Sequence, residues 1–294
     1  MIDAAAAVAA INEHHGTRYR LAGPMPGGES GATHLIADEA GVQFILKWGN
    51  GPEFHVRRTI AIVGRLRAGG YPAPEFVLAS SDQETPHYLI QRIMPGIRAT
   101  VLNRRLLDRI IELNRLQENA ATGFAEDWPV SIVETIERGH TEWCVHSSLE
   151  SYSSETAGML SELKRTAEEV RRQTFRQHDA VHFDFSTANI LLDGDEITGV
   201  IDWNGCRAGD RAFDLVTMGF YALEDRATST WLLNHARSIS NPGAVALYLA
   251  HVVLRQVDWS IRHHDEAAIA RYLAIARIAM EIIRDLTAKE RTPF

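Results

Sequence analysis

Two cysteines in 294 residues, Cys144 and Cys206, are too few for a disulfide framework and too far apart for a metal or redox pair. That scarcity fits a reducing compartment, and a cytoplasmic location is expected. A basic excess is also missing: 30 Lys and Arg stand against 38 Asp and Glu, a formal net charge of -8. A broad surface field attractive to polyanions is therefore excluded, and nucleic acid with it as a first-choice partner. Long apolar runs are lacking too. "AVALYLAHVVL" is too short to span a bilayer and carries Tyr248 and His251. The opening "MIDAAAAVAAINEHHG" has no Lys or Arg before its alanines, carries Asp3, and lacks the strongly apolar core of a signal peptide. It reads as an ordinary amphipathic helix, and no membrane segment is expected. Internal repeats and low-complexity tracts are absent as well.

What remains is the balance of a packed globular chain, 45% hydrophobic and 23% charged, long enough for one large domain or for two lobes. After the first helix, "YRLAGPMPGGESGATHLIAD" and "VQFILKW" read as strands around a Gly-rich turn. "EFHVRRTIAIVGRLRAGG" has helical spacing and stops at paired glycines before the extended "YPAPEFVLA". "HYLIQRIMPG" is a buried strand running into a Pro-Gly connector, which places a boundary near Pro95 between domains 1–94 and 95–294. Beyond it, "VLNRRLLDRIIELNRLQENA", "ETAGMLSELKRTAEEVRRQTF" and about 60 C-terminal residues carry helical periodicity. One strand-like island interrupts them: "ANILLDGDEITGVIDWN", two apolar runs joined by the turn chemistry of Asp193, Gly194 and Asp195.

Chemistry concentrates on that island. In "VHFDFSTANILL" a His is followed two residues later by an Asp and five further on by an Asn, the H-x-D-x-x-x-x-N spacing of a kinase catalytic loop. "GVIDW" then places Asp202 at the end of the second strand, so the hairpin would gather Asp184, Asn189 and Asp202 from its two ends. Phosphoryl transfer needs a carboxylate at the acceptor hydroxyl and hard oxygen ligands for Mg2+. Asp184 suits the first task as catalytic residue, and Asn189 and Asp202 suit the second as metal ligands. His182 is expected to brace the loop.

The stretch "HFDFSTANILLDGDEITGVIDWNGCRAGDRAFDLV" resembles the signature of the aminoglycoside phosphotransferase and choline kinase superfamily, whose pattern is HGD, N, a hairpin, IDW or IDF, then GD and DL. The resemblance implies an α+β, protein-kinase-like two-lobed fold, with a small strand-rich N-lobe and a larger, mainly helical C-lobe. It assigns Lys47 of "FILKW" to the α- and β-phosphates, Ser30 and neighbouring backbone N–H groups to phosphate binding, and the Gln91 to Ile93 segment to the adenine hinge. ATP is the implied nucleotide, with GTP as an alternative, and Mg2+ the implied metal. Asp214 in "GDRAFDL" is expected to brace the catalytic loop through backbone N–H groups.

Three departures stand out. Phe183 occupies the place where relatives usually carry Gly. The helix that normally supplies a Glu partner for the strand lysine offers Thr59, with Glu53 too early, so the partner of Lys47 is unassigned. Ser186 replaces the Lys of Ser/Thr protein kinases, and only eleven residues separate Asp202 from Asp214, too few for an activation segment with its A-P-E end. A protein substrate is thereby disfavoured. The expected acceptor is a hydroxyl on a small cationic molecule, with an antibiotic (an aminoglycoside or basic cyclic peptide) first and a choline- or sugar-type metabolite second. A non-catalytic nucleotide-binding module is the third reading. Acids that could meet ammonium groups are Glu224, Asp225, Asp258 and Asp265. The sequence leaves the oligomeric state open.

Overall fold

The structure, a computed structural model, describes residues 3–24, 33–49, 55–80, 87–124 and 128–290. The chain forms two compact units, Met1–Thr100 with Ala188–Cys206, and Val101–Thr187 with Arg207–Phe294.

In the first unit, helix α1 (Ala4–His15) buries Ala4, Ala7, Val8 and Ile11, the three- and four-residue spacing of one helical face. It packs on an antiparallel sheet of β1 (Arg20–Pro24), β2 (Thr33–Ala37), β3 (Gln43–Gly49), β4 (Phe76–Ala79) and β5 (His87–Arg92), in the order β1-β2-β3-β5-β4. Val8 and Ile11 of the helix meet Ile36, Phe44, Leu46, Tyr88 and Ile90 in one apolar cluster. Strand alternation sends Ile45 and Lys47 to the opposite face of β3. That face is covered too, because residues 44–47 are all buried, which is why "FILKW" reads as a nearly continuous apolar run. Helix α2 (Val56–Ala68) ends at Gly69 and Gly70, where the sequence placed its stop.

The remainder of this unit is a small sheet of β6 (Ile97–Arg98), β8 (Ile190–Asp193) and β9 (Glu196–Val200), ordered β6-β8-β9. The hairpin turns at Gly194, whose φ of +58 is one that glycine adopts without penalty. The unit therefore runs past the expected boundary near Pro95 and takes in the hairpin β8–β9, which sequence reading had given to the second domain. Backbone pairing explains the difference: Ile97 pairs with Leu192 and Arg98 with Leu191, and Thr198 Oγ1 donates to the Pro95 carbonyl at 2.6 Å.

The second unit is helical, built from α3 (Arg104–Leu116), α4 (Trp128–Arg138), α5 (His146–Tyr152), α6 (Ser154–Val170), α7 (Ala212–Tyr221), α8 (Arg226–Ile239), α9 (Pro242–His263) and α10 (Glu266–Glu290). Asn103 caps α3, and Ser153 with Thr156 forms a capping box on α6. Helix α9 starts with Asn241 as cap and Pro242 in its first turn, then stays buried on every side from Gly243 to Leu254. It packs against α4, α5, α6, α7, α8 and α10. Its apolar run is thus core, and among the described residues no helix is long and apolar enough to cross a membrane.

Two short strands, β7 (Asp179–Val181) and β10 (Arg207–Gly209), pair antiparallel in this unit. At Gly209 any Cβ would collide with the buried indole of Trp128, so the "GD" glycine permits a close approach. Antiparallel strands concentrated in one unit and helices in the other make the chain α+β, as expected.

Candidate active site

The loop His182–Thr187 leaves β7 under control of one buried carboxylate. Asp214, in the first turn of α7 and fully buried, accepts the backbone N–H of His182 at 2.8 Å and of Phe183 at 3.0 Å. Gln117 Nε2 donates to the same carboxylate at 2.6 Å and is itself oriented by Asn114. Burial pushes the Asp214 carboxyl up from its ordinary value, opposed by His182 and by these donors. This is the loop-bracing role expected of Asp214. His182 is also buried, its ring Nδ1 accepting the Asp184 N–H at 3.3 Å, which makes it part of the brace.

Phe183 sits at φ +77, a backbone state that a bulky residue rarely adopts and that glycine adopts freely. The usual Gly at this position has a geometric reason, and here packing holds the Phe instead. Its ring stacks on Phe213 with centroids 5.0 Å apart and lies edge-on to Trp128, Trp143 and His251. One residue later, the Asp184 side chain is about half exposed (52%), and Arg255 Nη2 lies 3.5 Å from its carboxylate.

In the strand-rich unit, Lys47 occupies the middle of β3, paired with Thr33 on one side and Leu89 on the other. Its nearly buried ammonium donates to Asp202 Oδ1 at 2.8 Å, while the Asp202 side chain is 47% exposed. Thr59 is buried in α2, and among the described residues the acid paired with Lys47 is Asp202 of the IDW segment. Asp202 adopts a left-handed conformation, φ 69 and ψ 56, which Asp tolerates better than most residues. The Ile201 N–H donates to the Asn189 carbonyl at 2.9 Å, tying together the two ends of the hairpin that carry Asn189 and Asp202. Trp203 anchors this corner, fully buried, with Nε1 on the Val200 carbonyl and the Tyr71 ring edge-on.

Gln91 is buried in β5 and paired with Ile45 and Phe76; Ile93 follows the strand and is exposed. Ser30 and Glu53 lie outside the described residues. Among the described residues, no group of three or more His, Cys, Asp or Glu could hold a metal. One carboxylate and one amide, Asp202 and Asn189, fit Mg2+, which takes few protein ligands and completes its shell with phosphate oxygens and water.

A profile of the phosphotransferase enzyme family matches residues 22–248, well over half of the sequence. The chain belongs to the phosphotransferase enzyme family. No curated protein sequence matches it. Among solved structures, this phosphotransferase is similar to a thermostable mutant of aminoglycoside phosphotransferase APH(4)-Ia in a ternary complex with ADP and hygromycin B. That match has a TM-score of 0.62 at 17% identity, covering 97% of this chain and 99% of the other. Amicoumacin kinase hAmiN in complex with AMP-PNP, Ca2+ and Ami gives 0.62 at 15% identity, covering 97% and 94%. Choline kinase LicA from Streptococcus pneumoniae gives 0.61 at 13%, covering 94% and 99%. At these identities the likeness is one of fold.

The four acids nominated for a cationic acceptor all have partners inside this phosphotransferase. Asp258 is fully buried, its two oxygens taken by Arg262 at 2.8 Å each and by Ser148 Oγ at 2.7 Å. Its burial gives it a structural role where sequence reading had nominated a substrate contact. Asp225 caps α8 through the N–H groups of Ala227 and Thr228, and Asp265 accepts the Ala268 N–H at the start of α10. Glu224 pairs on the surface with Arg271. Arg255 is the residue near Asp184 that sequence reading missed; it sits in the middle of a buried helix with no local motif to mark it.

Proposed function

We propose that this phosphotransferase moves the γ-phosphate of ATP to a hydroxyl of a small molecule, with Asp184 receiving the hydroxyl proton as the oxygen attacks phosphorus and the bond to the ADP oxygen breaks. The observation that carries the reading is a half-exposed carboxylate at Asp184 on a loop whose backbone is fixed from below by buried Asp214. Lys47 is assigned to the α- and β-phosphates, where its ammonium exchanges Asp202 for phosphate oxygens. Ser30 belongs to the same phosphate contacts. Backbone groups from Gln91 to Ile93 hold the purine, adenine first and guanine as the alternative. Asn189 and Asp202 are the residues that would hold Mg2+, whose contribution is to neutralise charge on the transferring phosphates.

The acceptor is proposed to be an antibiotic, so that the activity confers resistance. Solved relatives bearing hygromycin B and Ami support that choice. A cationic acceptor is supported by the net charge of -8, and Glu224 is the one nominated acid whose carboxylate is exposed and serves only a surface ion pair. A metabolic choline- or sugar-type kinase is the second reading, favoured by the choline kinase match. A cytoplasmic location belongs to the same proposal, supported by Cys144 and Cys206 being buried and not joined in a disulfide.

The test is ATP-dependent mass gain on a panel of hygromycin B, amicoumacin, choline and simple sugars, run with wild type and Asp184→Asn. Turnover should fall at least about 100-fold in the variant, the scale of losing a general base. An Asp184→Asn enzyme with near-normal turnover would remove this residue from the mechanism. Phosphorylation of choline alone would replace the antibiotic reading with the metabolic one.

A further inference from the structure

The turn that delivers Asp184 is held at several points. The Phe183 N–H goes to Asp214, its ring stacks on Phe213, and its carbonyl accepts a hydrogen bond from Arg255 Nη1 at 2.7 Å. Arg255 projects from α9, with its side chain only 15% exposed. A guanidinium withdrawn from water that far needs compensation, and three contacts near the turn contribute to it: one hydrogen bond, one ring face and one ion pair. They are the Phe183 carbonyl, the Phe183 ring 5.2 Å from the guanidinium carbon, and the Asp184 carboxylate at 3.5 Å. Its chain neighbour Gln256 accepts from the Tyr221 hydroxyl at 2.8 Å and donates to Ser260, so the helix on that side is itself fixed.

We propose that Arg255 is a positioning residue for phosphoryl transfer, bridging the Phe183 carbonyl and the Asp184 carboxylate and so setting the direction in which that carboxylate meets the acceptor hydroxyl. This rests on the reading of Asp184 as the catalytic carboxylate. A planar guanidinium suits the task because Nη1 can hold the Phe183 carbonyl while Nη2, fixed in the same plane, keeps its charge at ion-pair distance from the Asp184 carboxylate, whereas a lysine ammonium offers a single nitrogen for both. The strained φ of Phe183 makes the bridge consequential, since a turn held against its own preference relaxes when one tether is cut.

Arg255→Met and Arg255→Lys should be compared with wild type and Asp184→Asn, using Mg·ATP with water as the acceptor and reading phosphate release. Arg255→Met should lower kcat by about 10- to 100-fold, the cost of a small misplacement of a reacting group, with the KM for ATP unchanged. Arg255→Lys should recover part of the loss, and low concentrations of guanidinium ion should partly restore Arg255→Met. Crystal structures supply a readout independent of rate: the Asp184 carboxylate and the Phe183 carbonyl should both change direction in Arg255→Met. Should that variant fail to fold, Arg255→Lys carries the same comparison. Unchanged directions of both groups, or unchanged kcat where Asp184→Asn is impaired, overturn the positioning role alone. Unimpaired Asp184→Asn would instead overturn the catalytic reading, and a redirected Asp184 in Arg255→Met would still establish the bridge.

Discussion

Replacing His251 by Leu should flatten the loss of stability that the protein suffers in mild acid. His251 is fully buried on α9, packed against the rings of Trp143, Phe183 and Phe213, and neither ring nitrogen has a hydrogen-bond partner among the described residues. Burial pulls its pKa well below the ordinary 6.5, and the charges of Arg255 and Arg207 pull in the same direction. The folded protein therefore refuses a proton that the unfolded chain accepts, and this contribution to stability is lost as pH falls below the ordinary imidazole value. One pH unit below it the loss is about 1.4 kcal/mol for a site that stays neutral when folded, and the loss grows by a similar amount for each further unit. Leucine has nearly the volume of histidine and brings no polar atom, so the variant should unfold at neutral pH with stability close to wild type. The assay is urea denaturation of both proteins at pH 7.5 and pH 5.5. The difference of differences isolates His251, because every other titrating group is common to both chains. Identical pH dependence in the two proteins would show that His251 is not neutral in the fold and would refute the reasoning.

Asp258→Ala should destabilise the protein by about 2 kcal/mol, below the usual cost of breaking a buried pair because Arg262 is partly exposed; a urea midpoint left in place would return Asp258 to the list of ligand contacts. Lys47→Ala should raise the KM for ATP or lower kcat by at least about 10-fold, with a stability loss of only about 1 kcal/mol, because its partner Asp202 is half in solvent. A large loss of stability with normal ATP kinetics would make Lys47 structural. Phe183→Gly should relieve a backbone penalty of about 1–3 kcal/mol yet lose a buried ring worth about 3–5 kcal/mol, for a net loss near 2 kcal/mol. Calorimetry showing a gain would mean that the aromatic stack contributes little.

The loop after β7 and the hairpin that follows were legible because their signals are local: H-x-D-x-x-x-x-N, a turn tripeptide and IDW lie within one short stretch. Asp214 was legible for the same reason. What escaped depends on residues far apart in the chain. The Lys47–Asp202 pair spans 155 positions, and Arg255 reaches Phe183 across 72. Strands β7 and β10, three residues each, are too short to show alternation. Helix α7 is buried from Ala212 to Phe220 and therefore has no polar face to reveal a period. The structural partners of three nominated acids are a different case, because local signals for those roles were present. Asp225 and Asp265 each stand one residue before a helical run, the place of an N-cap, and Asp258 stands four residues before Arg262.

The strand-rich unit is assembled from two stretches of sequence separated by 87 intervening positions, since it takes Met1–Thr100 and then Ala188–Cys206. A gene fragment ending at Thr100 would leave β6 without β8, the Ala99 N–H without the Ile190 carbonyl, and Lys47 without Asp202. Exchanging this unit between two family members as a single N-terminal block would therefore split a backbone sheet and an ion pair between different parents. A working chimera has to carry both stretches from the same parent, with its crossovers at Thr100, between Thr187 and Ala188, and after Cys206.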